Sequence, residues 1–237
     1  MTAPDELPRF VLVLDEADAA ALRAEGVERR YARGTPLFHQ GDDSRSVVLI
    51  VEGRVKVVLL TPEGRELIAG FAGPGELLGE LAVIAGARRS ASIYALESVR
   101  ALVVPGAAFE HLLATRPGLA LSVLRNVAQR LHVADSQRLD LAWHDVLGRV
   151  AHALLELGQR HGEKKGGGVE ITLPLSQEEL AAWTGASREG VARALQLLRG
   201  LGWVETARRR TILLDPAALE AYVHNAGFTV HGADAGI

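Results

Sequence analysis

Residues 119–147 contain neither glycine nor proline, and inside that run Ala120, Leu124, Val127, Leu131 and Ala134 recur at alternating spacings of 4 and 3. Such a stripe is helical, and a single helix cannot bury it alone. Leu141 continues the register after an interruption at Arg138. Two partners satisfy a seam of this kind: the same helix of a second copy, or the strands of the chain itself. Pairing between copies, through 116–145, is the expectation.

The segment before the helix follows a different period. Between residues 31 and 105, β-branched runs (SVVLIVEG, RVKVVLL, ELIAGF, SASIYALES) are cut by the turn signals QGDD, TPEG, GPGE and IAGAR. Short strands broken by glycine at intervals of about ten residues predict a compact antiparallel roll or barrel. A helix over LDEADAAALRAEGV, within 8–30, precedes it. After the long helix comes a second one, then HGEKKGGG at 161–168, which reads as a polar link. The end of the chain, HNAGFTVHGADAGI, has no periodicity and reads as a loose tail.

Between link and tail lies LSQEELAAWTGASREGVARALQLLRGLGWV. Ser176 with Glu179 three residues on is a capping box, which satisfies exposed amides at a helix start. Gly185 suits the positive φ of a helix end. Ser187 then caps a second helix whose inner face carries Val191, Ala194, Leu195 and Leu198. Two short helices joined by a glycine turn, followed by a strand pair around the ARRR turn, describe a winged helix-turn-helix. Arg188, Glu189 and Arg193 fall on its outer face, where arginine can pair with guanine and glutamate with cytosine.

Charge distribution supports the same reading. The net charge is −3, with seven acids against four arginines in the first 30 residues. Residues 186–210 reverse this balance, with six arginines against Glu189 and Glu205. Arg208 and Arg209 are expected to meet phosphates. With no cysteine, disulfides, thiolate catalysis and cysteine-held iron–sulfur clusters are excluded. His39, His111, His132, His144, His152 and His161 are scattered, and His144 and His152 stand two helical turns apart, so no metal is expected. The start MTAPDELPR lacks the basic stretch of a secretory signal and no apolar run could cross a bilayer, so the expected location is the cytoplasm, without membrane contact.

GPGELLGELAVIAGARRSASIYA is the second chemical motif. Gly75 and Gly79 permit close backbone approach, Glu80 can accept from a vicinal diol, and Arg89 with Ser90 can hold a phosphate. The same residues also fit a plain Glu80–Arg89 ion pair that staples a loop.

GELLGELAVIAGARRSA resembles the phosphate-binding cassette of cyclic-nucleotide-binding domains. SQEELAAWTGASREGVARAL resembles the DNA-reading unit of the cyclic AMP receptor protein and FNR superfamily, and the likeness, running over about 30–215, looks closest to the cyclic AMP receptor protein branch. The resemblance implies an α+β chain, with an N-terminal antiparallel, jelly-roll-like β-roll over 1–115. A dimerisation helix over 116–145, a winged helix-turn-helix over 146–224 and a tail over 225–237 follow.

By the same resemblance, cyclic AMP is the effector, with Gly79, Arg89 and Ser90 on the cyclic phosphate and Glu80 on the ribose. Ala134 and Asp135 align with the positions that meet the base, and alanine has no hydrogen-bonding side chain. Ser187, Arg188, Glu189, Arg193, Arg208 and Arg209 are implied as DNA contacts on a palindromic, TGTGA-like operator. Gly190 stands where the family often has threonine, which removes a possible contact. Partners implied are double-stranded DNA, a second copy and RNA polymerase, and no enzymatic activity is expected. The alternative is a regulator of the same fold with a different effector or none, either a haem or redox sensor or a constitutive DNA binder. A cupin-type barrel enzyme is remote, because 31–105 offers only His39 as a ligand.

Overall fold

A computed structural model describes residues 15–229 apart from 63 and 208, with the backbone alone for 130, 132–143 and 225–229. The chain divides into two compact units, one running to His132 and one starting at Val133.

The first unit opens with α1 (Glu16–Glu25), capped by Asp15, whose carboxylate accepts from Asp18 N at 2.7 Å. Eight strands follow: β1 (Val27–Tyr31), β2 (Pro36–Phe38), β3 (Ser46–Glu52), β4 (Val55–Leu60), β5 (Glu66–Ala72), β6 (Leu77–Leu78), β7 (Ser92–Ala95) and β8 (Val99–Pro105). A short α2 (Glu80–Ile84) sits between β6 and β7, and α3 (Gly106–Thr115) and α4 (Pro117–Trp143) follow β8. Two antiparallel sheets form, in the orders β1-β8-β3-β6 and β2-β7-β4-β5.

Successive side chains of a strand face opposite ways, and β3 and β8 use this to serve two cores. Val48 and Ile50 of β3, with Val99 and Ala101 of β8, join Val55, Ile93 and Ala95 of the second sheet in the core between the sheets. Their neighbours Val47, Leu102 and Val104 face the other way, onto Leu22 of α1, Phe109 and Leu112 of α3, and Leu119 and Val123 of α4. The expected antiparallel roll is present.

Helix α4 also divides its faces. Leu119 and Val123 are buried against the roll and Val127 packs beside them, while Leu124 and Leu131 are each 63% exposed. The seam read from the sequence is therefore split. Val127 belongs to the chain's own core, and Leu121, Leu124 and Leu131 form the exposed apolar stripe.

The second unit contains α5 (Val146–His161), β9 (Gly162–Lys165), β10 (Gly168–Ile171), α6 (Gln177–Thr184), α7 (Arg188–Gly200), β11 (Val204–Ala207), β12 (Arg210–Leu213) and α8 (Pro216–Thr229). Its sheet has the order β11-β12-β10-β9.

Two expectations are corrected here. Residues 161–168 are not a link but part of a hairpin, with Lys165 opposite Gly168 and with Gly166 and Gly167 at φ 58° and 87°. Two consecutive positive-φ residues make the tight turn that matches strand twist, so the glycines that resembled a linker close a turn. The tail does not begin at 224, because α8 continues to Thr229. That helix is anchored by Leu219, which is fully buried, and capped by Asp215, whose Oδ1 accepts from Ala218 N at 2.9 Å.

Phe109 is 0% exposed in the helix-facing core of the roll. Phe109→Ala is expected to lower stability by about 3–5 kcal/mol in urea unfolding. A loss under about 1 kcal/mol would contradict the packing described.

Candidate functional site

After β6 the backbone enters α2 through Gly79, at φ 81° and ψ 3°. This left-handed region disfavours any Cβ. A Cβ at 79 would also run into Arg89 Nη1, so the arginine would have to shift. The turn sends Glu80, the first residue of α2, into the interior at 1% exposure.

Arg89 lies in the loop beyond α2, folds back over this turn and is 4% exposed. Its Nη1 donates to Gly79 O at 2.9 Å, and its Nη2 donates to the carbonyl and, at 3.3 Å, to Oγ of Ser46. The guanidinium carbon stands 4.1 Å from the centroid of the Phe38 ring. Burial pulls the Arg89 pKa below its ordinary value, and the charges of Asp42 and Glu80 oppose that shift. Arg89 Nε is buried with no hydrogen-bond partner among the described residues. A buried unpaired donor costs about 1–3 kcal/mol, which an acceptor at that atom recovers. The arrangement suits an anion.

The loop before β3 grips the same segment. Gly41 N donates to Arg89 O at 2.8 Å and Arg89 N donates to Asp42 O at 2.9 Å. Ser44 Oγ donates to Ala82 O and Ala87 O at 3.0 and 2.6 Å. Gly79, Glu80, Arg89 and Ser90 thus share one tied turn, with Ser90 exposed at its edge. Phe38, Asp42 and Ser46 are the residues that sequence reasoning missed. They are remote along the chain and are brought in by strand pairing, which leaves no spacing signal. Ala134 and Asp135 lie in α4, but their side chains fall outside the described residues.

In the second unit the capping box at α6 is formed, with Ser176 Oγ accepting from Glu179 N at 3.2 Å and Glu179 Oε2 accepting from Ser176 N at 2.9 Å. Gly185 ends that helix at φ 61°, and Ser187 caps α7 by accepting from Gly190 N at 3.1 Å. Val191, Ala194, Leu195 and Leu198 are buried, which leaves Arg188, Glu189 and Arg193 exposed on the opposite face. Arg209 is exposed at the turn between β11 and β12, at φ 57°, and Arg208 lies outside the described residues. A cleft of about 480 Å³ separates α7 from this wing, with Arg188, Arg199 and Arg209 on its rim and Leu154, Leu157 and Leu195 beneath. Cationic rims on a helix and a wing suit a phosphate backbone.

Gly190 behaves differently from expectation. It is buried, and a Cβ there would lie 3.2 Å from Ser187 Oγ and 3.3 Å from Val146 Cγ1. The position faces α5 rather than outward, so the glycine serves close helix packing and a side chain would not add an outer contact. His144 precedes α5 instead of sharing its face with His152, and the two rings meet edge-on at 6.4 Å.

The family model for the cyclic nucleotide-binding domain matches residues 28–116, and that for the Crp-like helix-turn-helix domain matches 148–222. A CRP-like cAMP-activated global transcriptional regulator of Mycobacterium tuberculosis is 34% identical over 189 residues, 80% of this chain and 84% of that protein. The chain belongs to the CRP/FNR family of transcription regulators. A cyclic AMP receptor protein of Thermus thermophilus is 32% identical over 81% of this chain and 86% of its own length. Among solved structures, a CRP-family regulator of Thermus thermophilus matches with TM-score 0.70 and 28% identity, over 83% of this chain and 96% of that one. The Xanthomonas campestris regulator CLP matches in fold with TM-score 0.76 at 24% identity, covering 84% of this chain and 99% of that one.

The tied turn at 79–90 lies inside the family's nucleotide-binding domain, and α6–α7 lie inside its DNA-binding domain. Among the described residues no helix of this CRP/FNR member is long and apolar enough to cross a membrane.

Gly79→Ala is expected to destabilise the roll by more than about 1 kcal/mol and to displace Arg89, measured by thermal unfolding and by crystallography. Gly190→Thr is expected to lower the melting temperature through crowding at Val146; an unchanged melting temperature would place position 190 outside the helix contact.

Proposed function

We propose that this chain is a homodimeric transcription regulator switched by cyclic AMP, and the buried, partly unsatisfied Arg89 beside Gly79 is the observation that carries the ligand half. In this reading Arg89, Ser90 and the amide of Gly79 take the cyclic phosphate and Glu80 takes the ribose hydroxyl. The base half of the site is assigned to Ala134 and Asp135. A guanidinium matches phosphate oxygens in geometry and charge, which favours this division of roles.

Ser187, Arg188, Glu189 and Arg193 read a palindromic TGTGA-like operator, while Arg208 and Arg209 hold its phosphates. Exposure of Leu121, Leu124 and Leu131 on α4 supports pairing with a second copy through 116–145. The functional division is then a ligand-binding roll over 1–115, a pairing helix over 116–145 and a DNA reader from 146 to the end of α8 at Thr229. The protein acts in the cytoplasm with RNA polymerase as a further partner and performs no catalysis.

A second reading keeps the fold and changes the effector. It is favoured by Ala134, which offers the base no hydrogen bond, and by the fold neighbour from Xanthomonas campestris, described as responsive to c-di-GMP.

Calorimetry with cyclic AMP, cyclic GMP and c-di-GMP separates the two readings, and binding of cyclic AMP alone supports the first. Arg89→Ala is expected to abolish that binding without unfolding the roll. Ligand and operator are expected to tighten one another by about 1–3 kcal/mol, and operator affinity unchanged at saturating ligand would defeat the switch. Arg188→Ala should cost about 1–3 kcal/mol on the operator and little on random DNA, whereas Arg209→Ala should weaken both alike in fluorescence anisotropy.

A further inference from the structure

We infer that Phe38 is a positioning residue for Arg89, its ring face fixing the guanidinium at the turn where the anion is proposed to bind; the inference rests on the ligand site proposed above.

A buried cation is costly unless it is paired, and the hydrogen-bond partners of Arg89 carry no charge. Both terminal nitrogens donate to uncharged oxygens, those of Gly79 and Ser46, and no carboxylate is among these acceptors. Those bonds fix two corners of a planar group and leave its face to be held. Phe38 supplies that face at 4.1 Å, within reach of the attraction between a cation and a ring quadrupole. A desolvated contact of this kind is stronger than an exposed one.

The backbone explains how the ring arrives there. Strand β2 pairs with β7 as Pro36 with Tyr94 and Phe38 with Ile93, so the register shifts between positions 36 and 38. A bulge re-aims the side chains beside it, often at the rim of a site. Phe38 keeps part of its ring on the core between the sheets and still reaches the turn at 79, where a Cβ on Gly79 would lie 3.4 Å from its Cζ. Phe38, Gly79 and Arg89 therefore fill one space together. With Nη1 and Nη2 bonded to the protein, Nε is the guanidinium nitrogen that is buried without a hydrogen-bond partner among the described residues. A guanidinium released from the ring would be free to leave this buried position.

The test uses the full chain and the variants Phe38→Leu, Phe38→Met and Phe38→Tyr. Leucine and methionine keep an apolar side chain and remove the ring, while tyrosine keeps the ring. Methionine provides a second ringless variant if leucine fails to fold. Cyclic AMP titrated by calorimetry is expected to bind about tenfold more weakly to the ringless variants, with tyrosine within about twofold of the parent. Nitrogen-15 NMR of the Arg89 Nε–H, without ligand, is expected to show solvent exchange faster by about tenfold in the ringless variants only. Equal losses in the ringless and tyrosine variants, or parental affinity in the former, would overturn the inference. If the parent binds no cyclic nucleotide, the ligand proposal fails, and the NMR result decides the positioning role alone. Unchanged exchange at Arg89 Nε in the ringless variants would then refute it.

Discussion

The turn between Gly79 and Ser90 is arranged around keeping one guanidinium out of water. Arg89 is 4% exposed, and burying a charge is unfavourable unless its donors and its field are answered. The answers come from three separated parts of the chain: the Gly79 carbonyl, the Ser46 carbonyl and the Phe38 ring. Asp42 and Glu80 add favourable charge without appearing among those hydrogen bonds. Gly79 is the hinge of the arrangement, because its positive φ and missing side chain let Arg89 lie against the backbone. A cation held this firmly, with one buried donor unsatisfied, still lacks an anionic hydrogen-bond partner among the described residues.

The long helix shows how one element serves two demands. Leu119 and Val123 bind it to the roll, and Leu121, Leu124 and Leu131 stay exposed on another face. A helix with two apolar faces has a wider stripe than either partner needs alone, so its sequence period cannot assign residues to faces. Val127 illustrates this, since it fits the 4-3 seam and yet packs on its own domain. In the other unit, a comparable economy places Gly190 where α5 and α7 touch, so the reading helix is held from behind by a contact that has no side chain on one side.

Local signals were legible where the physics is local. Ser176 with Glu179, Gly185 and Ser187 announce the helix-turn-helix, because a cap depends on residues within one turn of each other. The glycine-cut runs of 31–105 announced strands, and GELLGELAVIAGARRSA marked the turn that bears Gly79, Glu80, Arg89 and Ser90. The hairpin at 162–171 was missed because its strand residues GEKK are polar and its glycines match both a linker and a tight turn. The extension of α8 to Thr229 was missed because it lacks an amphipathic pattern, its hold coming instead from Leu219 near its start.

By itself the sequence determined the succession of a roll, a long helix and a capped reading unit. It also displayed the arginines, serines and glycines whose side-chain chemistry and short spacing suit an anion or a DNA groove. Tertiary structure alone decided that Phe38 and Ser46 stand beside Arg89, that Val127 turns inward while Leu124 stays exposed, and that Gly190 faces Val146. Such contacts join positions far apart in the chain, and they arise from strand register and helix packing. No window of neighbouring residues encodes either.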